Sequence, residues 1–228
     1  MKYLIVVFII WFSTPLLVAQ NSATSKSLDS LYREDQLYFS ITYNILDNRP
    51  ENVKQDGLSG GFHFGLIRDF PINKKRDLAF GLGIGLSSNS FRHNLKILKT
   101  DSGFGYEILS SDEFSKNRFN MYQVEIPMEF RWRTSTSDTY SFWRIYAGVK
   151  LGYVFSSNNK FISSSETSVI NIENAINKLQ YGLTLSVGYA SLNLHLYYGL
   201  NTIFKDQALN NKSLALKAIK AGLIFYIL

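Results

Sequence analysis

The chain contains no cysteine. That excludes disulfide staples, thiolate metal sites, a cysteine nucleophile and a lipid-modified N-terminal cysteine. Charge is scarce as well: Asp, Glu, Lys and Arg make up 18% of the residues, below the usual quarter for a soluble protein. The net charge is only +6. The basic residues are scattered, with no basic helix or stacked aromatic platform, so no nucleic-acid partner is expected. Histidine occurs three times, at His63, His93 and His195, with no ligand spacing, so no metal site is expected. There is no Walker loop. The "GLGIGL" run at Gly81–Leu86 has a period of two and no following helix, which is a strand rhythm and not a dinucleotide fingerprint. No cofactor and no catalytic residue is therefore expected. A lipid-modifying enzyme at a barrel rim would need a serine–histidine pair, and Ser87 or Ser90 near His93 is the one weak hint of it.

Long apolar runs are missing too, except at the start. Lys2 precedes the apolar run Tyr3–Phe12, Pro15 breaks it, and small Ala19 closes "LLVA". This is the pattern of a secretory signal peptide, with cleavage expected after Ala19. The alternative, an uncleaved anchor helix, would need a longer run, about 20 residues. The expected organisation is a signal peptide at 1–19, a flexible leader rich in Asn, Ser and Thr at 20–36, and one β-barrel domain at 37–228.

What the sequence does have is aromatic residues, 17 Phe and 14 Tyr, and a strand rhythm. "YQVEIPMEFRWR", Tyr122–Arg133, alternates Tyr122, Val124, Ile126, Met128, Phe130 and Trp132 with Gln123, Glu125, Pro127, Glu129, Arg131 and Arg133. A period of two with unlike faces is a strand. Comparable segments run over Leu37–Leu46, Leu58–Phe70, Leu78–Phe91 (with a possible extension toward Leu98), Phe142–Phe155, Lys178–Ala190, Ser191–Phe204 and Leu214–Leu228. The linkers after the second, fourth and sixth segments are short and the others mostly longer. An even number of strands with this asymmetry predicts an all-β, eight-stranded antiparallel up-and-down barrel of the outer membrane, its short turns on the periplasmic side. The 92–118 link could hide an extra hairpin over Gly103–Leu109. The 156–179 link could extend a hairpin or form a short amphipathic helix in "SVINIENAINKL".

Volume decides the orientation. One face carries large apolar residues such as Phe39, Phe64, Ile84, Val149 and Leu183, the other Gly61, Gly65, Gly81, Gly83, Gly85, Gly148, Gly152, Gly182 and Gly188 with Ser40, Thr42, Asn44, His63, Thr184, Ser186, His195 and Asn201. An eight-stranded interior is only just wide enough for side chains, and the large set would overfill it. The apolar face is thus expected to meet outer-membrane lipid. Aromatics near strand ends (Tyr43, Phe91, Tyr122, Trp132, Trp143, Tyr153, Phe155, Tyr189 and Phe204) would form interfacial girdles. A soluble periplasmic ligand-binding barrel would require the opposite orientation. In the last strand Lys220 and Gly222 read inward while Ile224, Tyr226 and Leu228 of the same face are apolar, which invites a bulge that switches register.

On this assignment Glu125, Glu129, Arg131 and Arg133 point inward from the fourth strand, and Arg144 and Lys150 from the fifth. They form either a lumenal charge network that fills the barrel or a narrow polar passage or ligand site. Pro127, which lacks an amide donor, marks a bulge or local distortion between the two glutamates.

The whole mature chain resembles the small outer-membrane barrels of the Bacteroidota, and PorT-type proteins in particular. The resemblance rests on "VAQ" at Val18–Gln20, "LYFSITYNIL", the Gly60–Leu86 hairpin "GGFHFGLIRDFPINKKRDLAFGLGIGL" and the Tyr122–Arg133 strand, whose Glu125, Ile126, Pro127 and Glu129 match the family's acidic, proline-containing element. It implies a non-enzymatic accessory or assembly role in type IX protein secretion, with gliding in some bacteria, and type IX secretion components as partners. A small porin or transporter of the same fold is the alternative. Neither composition nor resemblance names the oligomeric state.

Overall fold

The computed structural model describes residues 35–55, 57–101, 103–110, 112–134, 143–205, 208–209 and 212–227, with residues 208–209 and 212–213 as backbone only. The segment read as a signal peptide and nearly all of the leader lie outside the described residues. The strands in chain order are β1 (Gln36–Asp47), β2 (Gly60–Pro71), β3 (Leu78–Arg92), β4 (Leu95–Thr100), β5 (Gly103–Ile108), β6 (Lys116–Arg133), β7 (Trp143–Ile162), β8 (Thr167–Asn171), β9 (Leu179–Tyr189), β10 (Leu192–Gly199), β11 (Ala208–Leu209), β12 (Lys212–Ser213) and β13 (Lys217–Ile227).

Eight of them, β1, β2, β3, β6, β7, β9, β10 and β13, pair antiparallel with their neighbours in chain order, and β1–β13 pairing closes the ring. Leu37 faces Ile227 on one side and Leu66 on the other. Closure leaves the barrel no open edge, which a backbone in hydrocarbon requires. The β9–β10 turn is tight, with Ala190 in the left-handed region at φ 52°.

The alternation read from the sequence is the burial pattern of the barrel. Phe64 and Ile84 are 55% and 59% exposed on the outside, while their neighbours His63 and Gly85 face the lumen. Residues that would suit water do not cover the outer surface, so the barrel presents a continuous apolar band to lipid. The soluble-barrel reading needed the reverse.

Some of the open alternatives are decided, and other expectations are corrected. β3 ends at Arg92, and Leu95–Thr100 turns away to pair with β5 in the extra hairpin. The 156–179 link continues β7 to Ile162 and returns as β8, a strand and not a helix. The last strand has no bulge: Lys220, Ile224 and Tyr226 all face inward in one phase. Pro127 pairs in register with Lys150. It interrupts the β3–β6 ladder opposite Gly83 without shifting it, because a missing N–H removes a bond but adds no residue. The bulge lies elsewhere, where Tyr122 pairs with Ser156 but Gln123 with Val154. The extra residue is Phe155. It flips β7, so that Arg144 to Val154 face inward on even numbers and Ser157 to Phe161 on odd ones.

Phe91 and Phe204 do not belong to a girdle. They are buried in an apolar core that roofs the loop end of the barrel, built from Leu46, Leu95, Ile97, Met121, Val154, Ile172, Ile176 and Ile203 among others. Phe91 stacks on Phe119 at 4.9 Å between ring centroids, and Phe204 meets Phe119 edge-on at 5.4 Å. Residues of the long linkers, which a strand rhythm does not flag, supply much of this roof. Asn201, read as lumenal, lies beyond β10, where its Oδ1 accepts the Tyr181 N–H at 3.0 Å.

Candidate functional site: a filled lumen

Inward positions of β1, β2, β6, β7, β10 and β13 stack the polar side chains of the lumen in tiers. At the short-turn end, Arg131 and Arg133 are fully buried and bind the two carboxylate oxygens of Asp69 from β2. Arg131 also donates to Gln36 Oε1 at 2.6 Å and lies 3.4 Å from Glu129 Oε2. Arg133 donates from Nε to the Arg76 carbonyl at 3.1 Å. Arg144 donates to the Ala190 carbonyl in the β9–β10 turn and so ties down that turn. Each guanidinium is a rigid fork suited to such pairing.

Above this floor lies an aromatic and apolar layer of Tyr38, Ile67, Tyr146, Ile224 and Tyr226. The Arg131 guanidinium lies 4.0 Å from the Tyr146 ring centroid, a cation–π contact that joins the two tiers. Ile224 and Tyr226, apolar for a wet lumen, are explained by this layer.

A second charged tier follows. Glu125 Oε2 lies 3.3 Å from Lys150 Nζ and its carboxylate 3.1 Å from His63 Nδ1. His63 Nε2 lies 3.2 Å from Thr42 Oγ1, which donates to Asn44 Oδ1 at 2.9 Å. Lys220 lies over the Tyr197 ring at 4.9 Å. Gln123, Glu125, Lys150, Gly152, Gln180, Tyr197 and Lys220 enclose a cavity of about 10 Å³, room for one water at most. The apolar roof lies above this tier.

All six charged residues anticipated from the sequence thus face the lumen. Glu125 meets Lys150, and Glu129 meets Arg131. Asp69, the acid that holds both Arg131 and Arg133, was missed. Its parity with His63 and Gly65 in β2 was the available signal. Lys220 reads inward from the sequence, but its tier depends on the stagger of the closed ring.

Among the described residues, hydroxyl–imidazole contacts join Thr42 to His63 at 3.2 Å and Ser186 to His195 at 2.8 Å, and Glu125 completes a hydroxyl–imidazole–carboxylate order at the former. Thr42, His63, Glu125, Ser186 and His195 are all buried inside the barrel. Ser87 accepts a hydrogen bond from Asn89 at 3.0 Å, and His93 takes the Leu95 N–H at 3.1 Å; they form no pair. Among the described residues no three His, Cys, Asp or Glu side chains converge on a metal position.

Comparisons with known proteins agree at the level of the fold family. The family described as "Outer membrane protein beta-barrel domain" matches residues 18–205. No curated protein matches the chain. Among solved structures, Ail, the attachment invasion locus protein of Yersinia pestis, in complex with the heparin analogue sucrose octasulfate, is similar at 15% identity and a TM-score of 0.38, covering 86% of this chain and all of its own. A second Ail structure gives 13% and 0.36 over the same shares, and a mutant Rh. blastica porin 9% and 0.22, again over 86% of this chain and all of its own. At these distances the solved structures transfer no role. The residues matched by the family span most of the chain, and this protein belongs to the outer membrane protein β-barrel domain family.

Proposed function

We propose that this protein works as a closed, non-conducting barrel whose loop end and rims dock other components, in the manner of an accessory or assembly component of type IX secretion. The observation that carries the closed-barrel part is the filled lumen: two charged tiers, an aromatic layer between them and an apolar roof, with about 10 Å³ of space in the cavity at the Glu125–Lys150 tier. A folded cargo protein has no route through such a barrel. The secretion part rests on the resemblance of the Gly60–Leu86 hairpin and the Tyr122–Arg133 strand to PorT-type proteins.

The expected result in planar bilayers is insertion without steady channels. In a deletion strain, surface delivery of type IX cargo should fail, and a detergent pull-down of the native barrel should recover components of that machine. Recovery of the lone barrel, with secretion unchanged, would defeat the secretion reading while leaving the closed barrel standing.

A small porin or transporter is the second reading. The family match accommodates it without a secretion partner, and the charged column from Asp69 through Glu125 to Lys220 is the kind of lining such a role needs. Steady single-channel conductance would favour it and reject the closed barrel.

A further inference from the structure

On the outer surface of the loop end, cross-strand register sets three cations side by side. Arg92 of β3 faces Arg118 of β6, and Arg118 faces Lys160 of β7. Lys116 follows on the same face of β6 and feels the positive charge of all three. Like charges directly opposite one another destabilise a sheet, so the row has a cost that the bare fold does not relieve.

Among the described residues no carboxylate pairs with these cations. The nearby acids are engaged elsewhere: Glu113 accepts the Ser110 N–H at 2.6 Å, and Glu166 pairs with Lys96 at 3.1 Å. The Nε atoms of Arg92 and Arg118 are both buried without a hydrogen-bond partner, so the two guanidiniums are held in place but incompletely satisfied.

The level of the row is informative. Going toward the short-turn end, the next outward row is Ser90, Asn120 and Asn158, with Asn120 donating to Asn158 at 2.8 Å. Below it Tyr122 packs against Phe155, ring centroids 6.4 Å apart, and below that Leu86, Val124 and Tyr153 meet lipid. From Tyr122 to Arg118 is about 13 Å along the strand. With strands tilted by about 40°, the cations stand over the headgroup layer, and their long stems reach back to it. The polar row offers amides and a hydroxyl between the two levels.

We propose that Arg92, Arg118 and Lys160, with Lys116, form a binding site for the phosphate groups of a phosphorylated glycolipid in the outer leaflet. Arg forks match phosphate oxygens in pairs, and a membrane-anchored polyanion relieves the mutual repulsion of the row. The site is independent of the docking role proposed above.

The test reconstitutes the full mature barrel in phosphatidylcholine nanodiscs doped with lipid A carrying both phosphates or with its dephosphorylated form. Retained glycolipid is counted by native mass spectrometry. The phosphorylated form should be retained about tenfold or more over the dephosphorylated one. The triple variant R92Q/R118Q/K160Q should lose that preference. R118K should keep most of it, as should K74Q/K75Q at the opposite end. Equal retention of both glycolipids, a triple variant that still discriminates, or full displacement by millimolar inorganic phosphate would overturn the proposal, the last by showing a simple anion site.

Discussion

Lys150 reaches Glu125 diagonally, Nζ to Oε2 at 3.3 Å, because the residue directly opposite Glu125 in the β6–β7 ladder is Gly152. The ideal Cβ position of that glycine lies 3.2 Å from Gln123 Oε1, so the space beside it is taken by the Gln123 side chain. Lys150 itself sits opposite Pro127, between the two glutamates of β6.

Breaking this pair should be expensive. Glu125→Gln leaves a buried ammonium and a buried imidazole without their carboxylate, and removal of one partner of a buried pair costs about 3–5 kcal/mol. Double replacement by apolar residues, Glu125→Leu with Lys150→Met, removes both desolvation penalties and should recover most of the loss. Equilibrium unfolding of the refolded barrel in urea checks both, and an additive double variant would contradict the coupling.

Gly85 should tolerate no side chain. A Cβ there collides with the Tyr38 hydroxyl, and with the Phe64 carbonyl at 2.6 Å. The carbonyl belongs to backbone and cannot yield, so overpacking of about 1–3 kcal/mol is expected for Gly85→Val. Gly103 has open space around its ideal Cβ position, although its φ of 139° favours glycine. Gly85→Val should lower the unfolding midpoint in the same assay, and adding Tyr38→Phe, which removes the hydroxyl but leaves the carbonyl in place, should not restore it.

Ile84→Arg tests the orientation of the whole barrel. Ile84 is exposed on the lipid face, paired with Leu66. Arginine near the bilayer midplane costs about 2–4 kcal/mol in such barrels and much less near the interface. Unfolding in lipid vesicles should show that loss, while Ser90→Arg near the rim should change little. Equal effects at the two positions would contradict a lipid-facing band.

His93 gives the roof a pH dependence. It lies between β3 and β4, buried beside Phe119 at 5.1 Å between centroids, and burial pushes its imidazole down to about 3 from an ordinary 6.5. The unfolded segment therefore takes up its proton first as pH falls. The contribution of neutral His93 is complete above about 6.5 and is lost progressively as pH drops toward 3. Limited proteolysis of the loop end should accelerate over that window. His93→Asn, whose amide oxygen can still accept the Leu95 N–H, should flatten the dependence, and an unchanged profile would show that another group governs it.

Fold and orientation were legible in the sequence because they follow from a local property. Alternation places every second residue on one face, and the size difference between Ile84 and Gly85, or Phe64 and Gly65, tells which face an eight-stranded interior can hold. Glu125, Glu129, Arg131, Arg133, Arg144 and Lys150 could be read as inward on the same grounds. Pairing could not. Asp69 meets Arg131 and Arg133 across more than sixty residues of chain, and which inward residues share a tier depends on the stagger of the closed ring. The bulge at Phe155 was hidden for a related reason: it changes phase within a segment whose sequence alternates well on either side of it.

The roof was the least legible part. Ile172, Ile176, Ile203 and Phe204 lie outside the long strands, where periodicity carries no information, and they gather only because the closed barrel brings its linkers together over one opening. The sequence alone thus determined a lipid-facing barrel with a polar interior, since strand period and side-chain volume suffice for that. The tertiary structure alone decided that the interior is paired and capped, because register and ring closure choose which distant residues become neighbours.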